Sequence, residues 1–230
     1  MSLRVPMADL VPGERALDAE QARYVGRVHR LKPGDTFVAF DPSRAIECDA
    51  ELLDARRVRL GPARPARAAT RAITWIHGCP KGDKADAIVR DATELGATRM
   101  IYVQTTRSVT RPPAARVVRW SKIAREAARQ CGRGDAPDVS LAKDWESALD
   151  AAGDGTRIVL DPTGGALRDA LAGARGPLVF AAGPEGGLTP GELAAAAARG
   201  FAACSLGAFV MRTETVPAAV LGAVALVTES

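Results

Sequence analysis

The chain has 230 residues, enough for a small domain joined to a medium-sized one. Hydrophobic residues make up 47% of it and charged residues 25%, as is typical of globular proteins. No apolar run reaches the roughly 18 residues of a membrane span, and the first ten residues lack the apolar stretch of a signal peptide. We therefore expect a cytoplasmic protein that makes no membrane contact.

The net charge of +4 is concentrated in one segment, residues 107–133. Eight basic residues lie there against the single acid Glu126, so the rest of the chain is net negative. A local positive field of this kind is typical of a surface that binds nucleic acid.

Cysteine and histidine residues are few and widely separated. The sequence contains no Cys-x-x-Cys pair, and its two histidines, His29 and His77, are far apart. We therefore expect reduced thiols and no bound metal ion.

The first 68 residues are predicted to be mostly β-structure. Alternating apolar and polar residues predict a strand over 46–52, with further strands over 36–40 and 57–60. A short helix is expected before them, with Asp18 as its N-cap and with Val25 and Val28 facing inward. Short strands with tight turns favour a small barrel, and the Pro-containing stretch 61–69 is predicted to be a linker.

From residue 73 onward, strands and helices alternate, which predicts an α/β fold with a parallel sheet and helices on its faces. Strands are expected over 73–77, 100–103, 158–160, 178–181 and 201–206. Helices are expected over 83–95, 114–130, 145–152, 166–174, 189–200 and 215–227. A capping box of Thr189 and Glu192 marks the start of the fifth helix.

A glycine-rich loop, GPEGG at 183–187, directly follows a predicted buried strand. Such a loop at the carboxyl end of a parallel strand lets a ligand approach the backbone closely. A plain tight turn explains the same residues equally well. The pattern lacks the Gly-Lys-Ser/Thr of a P-loop and the G-x-G-x-x-G of dinucleotide-binding folds, which disfavours a nucleotide enzyme of those types.

A second loop contains LG at 206–207 and RTET at 212–215. Thr213 is a plausible N-cap for the last helix, whereas Arg212 stands where the helix dipole disfavours a cation. A functional role for Arg212 explains this better than a surface pair with Glu214, which would contribute little to stability.

The third segment is KGDK at 81–84, between a predicted strand and a predicted helix. Lys81 and Lys84 are well placed there for a phosphate group. A solvated loop with two lysines is an equally good interpretation from spacing alone.

Five motifs in order resemble the ribosomal RNA small subunit methyltransferase E family, within the knotted SPOUT class of methyltransferases. The motifs are KGDK at 81–84, ATELG at 92–96, EAARQCGR at 126–133, GPEGG at 183–187, and LG at 206–207 with RTET at 212–215. The resemblance covers nearly the whole chain.

The resemblance implies a fold, a reaction and partners. Residues 1–68 would form a PUA-like RNA-binding β-barrel, and residues 69–230 a SPOUT methyltransferase domain with a C-terminal trefoil knot. The enzyme would be a homodimer that uses S-adenosylmethionine, without a metal, to methylate N3 of a uridine in the decoding region of 16S ribosomal RNA.

The resemblance also implies site residues. Cofactor-binding residues would be Leu160, Ala182, Gly183, Pro184, Gly187, Leu206, Gly207, Val210, Met211 and Thr213. RNA-binding residues would be Arg27, Arg30, Lys81, Lys84, Arg107, Arg129 and Arg133. Arg212 is the candidate for stabilising the uracil anion or anchoring a phosphate, and Glu214 is a weaker candidate base.

Two other functions remain open on the sequence. One is a methyltransferase of the same class that acts on another RNA, since a fold does not fix its substrate. The other is a non-catalytic RNA-binding protein with a degenerate site, which the intact glycine loops disfavour.

Overall fold

A computed structural model describes residues 3–109 and 112–228, and the chain divides into two compact units. The first unit runs to Ala68 and also includes Ala128–Ala136, and the second consists of Ala69–Ala127 and the chain from Pro137 on. The sequence did not predict that residues 128–136 belong to the first unit. No helix within the described ranges is long and apolar enough to cross a membrane.

The first unit is built on a mostly antiparallel sheet in the order β1-β3-β4-β5-β2, with β6 beside β4. The strands are β1 (Arg4–Pro6), β2 (Gly13–Ala16), β3 (Thr36–Asp41), β4 (Ile46–Leu52), β5 (Arg57–Leu60) and β6 (Arg64–Pro65). Its core is a cluster of apolar side chains that includes Val5, Phe37, Ala39 and Val58. The prediction of a linker over 61–69 was wrong in part, because β6 pairs with β4 at Ile46 and Glu47.

Helix α1 (Ala19–Ala22) starts at the predicted N-cap Asp18, whose side chain accepts the N–H of Gln21. It continues directly into a π-helix, Arg23–Val28. Val25 is buried as expected, but Val28 is 59% exposed. The prediction for Val28 assumed α-helical spacing, and the wider i→i+5 turn of a π-helix rotates this residue to the solvent side.

The second unit is a parallel sheet in the order β12-β10-β11-β7-β8-β9. The strands are β7 (Ile73–Gly78), β8 (Arg99–Val103), β9 (Asp138–Ala142), β10 (Thr156–Ala166), β11 (Leu178–Ala182) and β12 (Ala202–Ser205). The prediction of a parallel α/β sheet is confirmed. Strand β9 was missed because it is a partly exposed edge strand with weak apolar alternation.

Helices cover both faces of this sheet, as predicted. They are α2 (Lys84–Glu94), α3 (Ala115–Cys131), α4 (Trp145–Asp150), α5 (Leu167–Ala172), α6 (Pro190–Ala197) and α7 (Thr215–Thr228). Apolar residues of α2, α3, α5 and α7 pack in one buried cluster, and those of α4 and α6 pack in the other. The capping box of Thr189 and Glu192 is present at the start of α6.

Strand β10 is irregular where it runs beside β12. Leu160 and Gly165 both pair with Cys204, so residues 161–164 bulge out of the ladder. A Cβ atom on Gly164 would lie 2.5 Å from the backbone of Ala203 and Cys204, so only glycine permits this close crossing. The bulge places Asp161 and Pro162 beside the ends of β11 and β12.

Candidate functional site

A cavity of about 430 Å³ opens in the second unit, where the carboxyl ends of β10, β11 and β12 meet. In parallel sheets these ends are the usual position for ligands. The ten residues predicted to bind cofactor all line this cavity, together with Arg212, Glu214 and Lys84. The structure thus brings together residues from four separate stretches of the chain.

The glycine loop 183–187 closes tightly on itself and against β7. A Cβ atom on Gly183 would lie 2.7 Å from the carbonyl carbon of Gly187, and Gly187 has a φ of +69°. A Cβ on Gly78 would lie 2.5 Å from Cδ of Pro184. These glycines are needed for a compact loop, and the same compactness leaves the backbone of Gly183 and Gly187 at the cavity wall.

Arg107 holds the loop from behind. Its guanidinium donates to the carbonyl oxygens of Gly186 and Leu188 at 2.8 and 3.2 Å. Glu192 fixes the neighbouring segment, because its carboxylate accepts the backbone N–H of Thr106 at 2.7 Å. The predicted RNA contact Arg107 is therefore also part of the scaffold of the glycine loop.

Lys84 lies between two carboxylates at the cavity wall. Its ammonium nitrogen is 3.0 Å from Oε1 of Glu185 and 3.1 Å from Oε2 of Glu214. Glu185 also accepts the backbone N–H of Lys81. A phosphate would compete with both carboxylates for Lys84, so this geometry favours a role in joining loops over a direct RNA contact.

The two carboxylates stay ionised at neutral pH. Partial burial raises the pKa of Glu185, but hydrogen bonds from its own backbone and from Lys84 outweigh it and lower the pKa below its usual value. The pKa of Glu214 is lowered by its backbone hydrogen bond and by Lys84. A carboxylate with a lowered pKa is a weak proton acceptor, which disfavours Glu214 as the base.

Arg212 differs from Lys84 in that it is exposed on the cavity wall. Among the described residues, its guanidinium makes no hydrogen bond or ion pair, and Glu214 pairs with Lys84 instead. The alternative of an Arg212–Glu214 surface pair is therefore not what the structure contains. An exposed guanidinium beside a cavity is suited to meet an anion.

Thr213 does not cap the last helix as predicted, because α7 begins two residues later at Thr215. The Thr213 hydroxyl instead donates to the carbonyl oxygen of Gly183 at 3.0 Å. It also lies 2.9 Å from Nε2 of His77, a residue that the sequence did not single out as part of a site. Thr213 thereby connects the second loop to the first.

Sequence reasoning also missed two acids that line the cavity, Asp161 and Glu185. Asp161 accepts the N–H and the hydroxyl of Thr163, which holds its carboxylate in the bulge of β10. Glu185 stands inside the glycine loop itself. Its charge within an otherwise small and apolar motif was the signal that could have identified it.

The basic segment is less positive in space than along the chain. Four of its eight basic residues have an acidic partner, in the pairs Arg116–Asp83, Arg119–Asp86, Lys122–Glu126 and Arg133–Asp135. Arg111 lies outside the described residues. The expected local positive field is thus reduced in part, because the sequence alone could not match Asp83 and Asp86, at the start of α2, to this segment.

The predicted RNA contacts of the first unit differ in how available they are. Arg27 and Arg30 are exposed, and Arg30 has a φ of +56°. The guanidinium of Arg129 lies 4.6 Å from the ring centre of Tyr24. Arg133 is only 7% exposed and is bound to Asp135 through two nitrogens, so its contacts favour a structural role.

Metal binding finds no support in the described ranges, where no group of three His, Cys, Asp or Glu residues could hold an ion. The four cysteines are free thiols.

Comparisons with known proteins agree on one kind of protein. A family model described as an RNA methyltransferase domain matches residues 67–225. The chain is 31% identical to ribosomal RNA small subunit methyltransferase E of Mycobacterium bovis, over 92% of this chain and 86% of that protein. It is 30% identical to the protein of the same name from Synechocystis, over 100% of this chain and 79% of that one.

A solved structure agrees over the full length. It is the ribosomal RNA small subunit methyltransferase E of Neisseria gonorrhoeae bound to S-adenosylmethionine, with a TM-score of 0.88 and 27% identity. The match covers 99% of this chain and 98% of that one.

Proposed function

Because the chain belongs to the ribosomal RNA small subunit methyltransferase E family, we propose that it methylates N3 of a uridine in the decoding region of 16S ribosomal RNA. The methyl donor is S-adenosylmethionine, and an rRNA substrate would place the protein in the cytoplasm. The observation that carries this proposal is the single cavity wall on which all ten predicted cofactor residues meet.

The cavity fits S-adenosylmethionine in size and chemistry. Its volume of about 430 Å³ lies in the range of small-molecule sites. Small and apolar residues such as Ala182, Leu160 and Leu206 offer a surface for an adenine ring, and the glycine backbone allows close approach. When bound, this cofactor supplies an electrophilic methyl group on a positively charged sulfur.

Charged groups at the same wall suit the amino-acid part of the cofactor. The carboxylates of Asp161 and Glu185 are complementary to a cationic ligand, and Arg212 is complementary to an RNA phosphate or to negative charge that develops on the uracil. Lys84 is already paired with Glu185 and Glu214, so it neutralises acids that would otherwise repel one another.

Methylation at N3 of uridine requires that the N3 proton passes to water or another acceptor before or as the new bond between N3 and the methyl carbon forms. The negative charge that develops then resides on the uracil oxygens. Arg212 is our candidate for stabilising this charge, because it is exposed at the cavity and its guanidinium makes no hydrogen bond or ion pair among the described residues. Glu214 is better suited to hold Lys84 than to accept the proton, since its pKa is lowered.

We assign residues 1–68 to a PUA-like RNA-binding barrel and residues 69–230 to a SPOUT domain with a trefoil knot. The antiparallel sheet of the first unit, with exposed Arg27 and Arg30, supports the first assignment. The close crossing at Gly164 and the packing of α7 against α2 and α5 support the second.

We also propose a homodimer. Phe209 and Val210 are 87% and 81% exposed at the edge of the cavity, and Leu226 is exposed on α7. Neighbouring large apolar side chains that are exposed, such as Phe209 and Val210, are typical of an interaction surface, and a second copy of the chain would cover them. Sedimentation at twice the 24.0 kDa mass of one chain is the expected result.

The function is tested by binding and transfer together. Calorimetry with S-adenosylmethionine should show one site per chain, and labelled methyl should transfer to small but not large ribosomal subunits that lack the native modification. Arg212→Ala should keep cofactor binding and lose about 10²–10³-fold in kcat, the usual effect of removing one group that stabilises developing charge.

Three outcomes would count against parts of this proposal. Near-normal turnover of Arg212→Ala at saturating RNA would remove that role. Transfer to another RNA would keep the enzyme class and change the substrate. Absence of cofactor binding would favour a non-catalytic RNA-binding protein.

A further inference from the structure

A chain of buried hydrogen bonds runs from the sheet to both cofactor loops. The indole N–H of Trp75 donates to Nδ1 of His77 at 3.0 Å. Nε2 of His77 lies 2.9 Å from the hydroxyl oxygen of Thr213, and this hydroxyl donates to the carbonyl oxygen of Gly183 at 3.0 Å. Trp75 and His77 are fully buried and Thr213 is nearly so.

The chemistry of these groups determines which atom donates and which accepts in each of these hydrogen bonds. An indole nitrogen can only donate, so Nδ1 of His77 must accept and the ring proton of the neutral imidazole resides on Nε2. Nε2 therefore donates to Thr213, whose single hydroxyl proton is used for Gly183. Each polar atom in this series of hydrogen bonds has a partner that matches it. None can exchange its role as donor or acceptor without leaving another atom of the series unsatisfied.

The location of His77 makes this chain relevant to the cofactor. His77 is aligned with Ala182 across the β7–β11 ladder, one position before Gly183. Its ring also lies between those of Trp75 and Tyr102. The imidazole is thus held by the rigid sheet, while its outer nitrogen reaches the loop that carries Arg212 and Glu214.

We propose that His77 is a positioning residue that sets the spacing between the two cofactor loops, 183–187 and 206–214, through the hydroxyl of Thr213. The proposal rests on the proposed use of S-adenosylmethionine by this cavity. His77 is not the base of the reaction, because it is fully buried, with both ring nitrogens engaged. Burial also lowers its pKa to about 4, so the ring is neutral at physiological pH.

Two matched pairs of variants test this. His77→Leu removes both hydrogen bonds, whereas His77→Gln keeps an acceptor and a donor at the spacing of the two ring nitrogens. Thr213→Val removes the hydroxyl, whereas Thr213→Ser keeps it. The first readout is amide hydrogen exchange of the wild-type protein and all four variants without cofactor, so it does not depend on the proposed function.

We expect the rate of amide hydrogen exchange in residues 183–187 and 206–214 to rise roughly tenfold in His77→Leu and Thr213→Val. It should change little in His77→Gln and Thr213→Ser. The double variant His77→Leu/Thr213→Val should exchange little faster than either single variant, because both substitutions break the same series of hydrogen bonds. Unchanged exchange in the loops, or an equal rise across the whole sheet, would overturn the proposal. If His77→Leu does not fold, His77→Phe, which keeps a ring but has no ring nitrogen, takes its place.

Kinetics give the second readout. His77→Leu should raise KM for S-adenosylmethionine roughly tenfold and leave KM for RNA unchanged, and His77→Gln should restore the wild-type value. An equal rise in KM for S-adenosylmethionine and for RNA would contradict a positioning role. So would a KM for S-adenosylmethionine in His77→Gln that stays as high as in His77→Leu. If the wild-type protein binds no S-adenosylmethionine, the proposed function fails, and loop exchange still decides whether His77 couples the loops.

Discussion

The ammonium nitrogen of Lys84 lies 3.0 Å from a carboxylate oxygen of Glu185, at the wall of the cavity where β10, β11 and β12 end. Lys84 is the first residue of α2, and Glu185 is the centre of the glycine loop. Since Glu214 holds the same ammonium group from the second loop, Lys84 connects three segments that are far apart in sequence.

Replacing Lys84 with Met should weaken cofactor binding several-fold, because Glu185 and Glu214 would then repel one another and loosen both loops. Calorimetry with S-adenosylmethionine measures this. Lys81→Met is the matched control, because the Lys81 side chain is exposed and only its backbone contacts Glu185. RNA binding that falls while cofactor binding stays normal would support the original prediction of an RNA contact instead.

Arg107→Ala should also act on the cofactor site. It removes two hydrogen bonds to the carbonyl oxygens of Gly186 and Leu188, so the affinity for S-adenosylmethionine should fall by a few-fold to about tenfold. Arg125→Ala is the comparison, because Arg125 is an exposed arginine of α3. Equal effects of the two variants on the cofactor would contradict the scaffold role of Arg107.

Substitutions of Arg133 and Arg129 should have different effects, the first on stability and the second on RNA binding. Arg133→Met leaves the acid Asp135 without its partner and should lower the free energy of unfolding by about 3 kcal/mol. Arg129→Gln should leave stability nearly unchanged, weaken RNA binding, and reduce the slope of log affinity against log salt by about one. Urea unfolding and filter binding at several salt concentrations measure the two effects. An Arg133→Met variant that is as stable as the wild-type protein but binds RNA weakly would show that Arg133 is an RNA contact and not a structural residue.

The buried His77 should make stability depend on pH. Its pKa in the folded protein is about 4, against 6.5 when exposed, since burial penalises the charged ring. Unfolding therefore takes up a proton between pH 6.5 and 4, and stability falls as the pH falls through that window, by about 3 kcal/mol at its lower end. The free energy of unfolding of His77→Gln should fall less over the same pH window. Identical pH profiles for the two proteins would show that His77 has the same pKa in the folded and unfolded states, which contradicts a buried neutral ring.

Local sequence signals predicted much of the second unit. Apolar spacing identified its helices and most parallel strands, and the Thr189 capping box marked the start of α6. The two loops were found because the glycine loop 183–187 and the LG at 206–207 each stand at the end of a predicted strand, and RTET follows LG within the second loop. In a parallel sheet, such strand ends gather at one edge, so the cavity followed from the topology.

Other features depend on contacts that local patterns do not encode. The partners of Arg116 and Arg119 are acids 33 positions earlier, so the charge of the basic segment could not be judged from its own residues. The π-helix at 23–28 altered the exposure of Val28. His77 was considered only as a possible metal ligand, because its contact with Thr213 spans 136 positions.

The most direct test of the account maps the methyl group. Small ribosomal subunits without the native modification are incubated with the protein and labelled S-adenosylmethionine, and the digested 16S RNA is analysed by mass spectrometry. We expect label in 3-methyluridine from the decoding region, and much less label with the Arg212→Ala variant. Label in another nucleotide, or none despite cofactor binding, would contradict the proposed reaction.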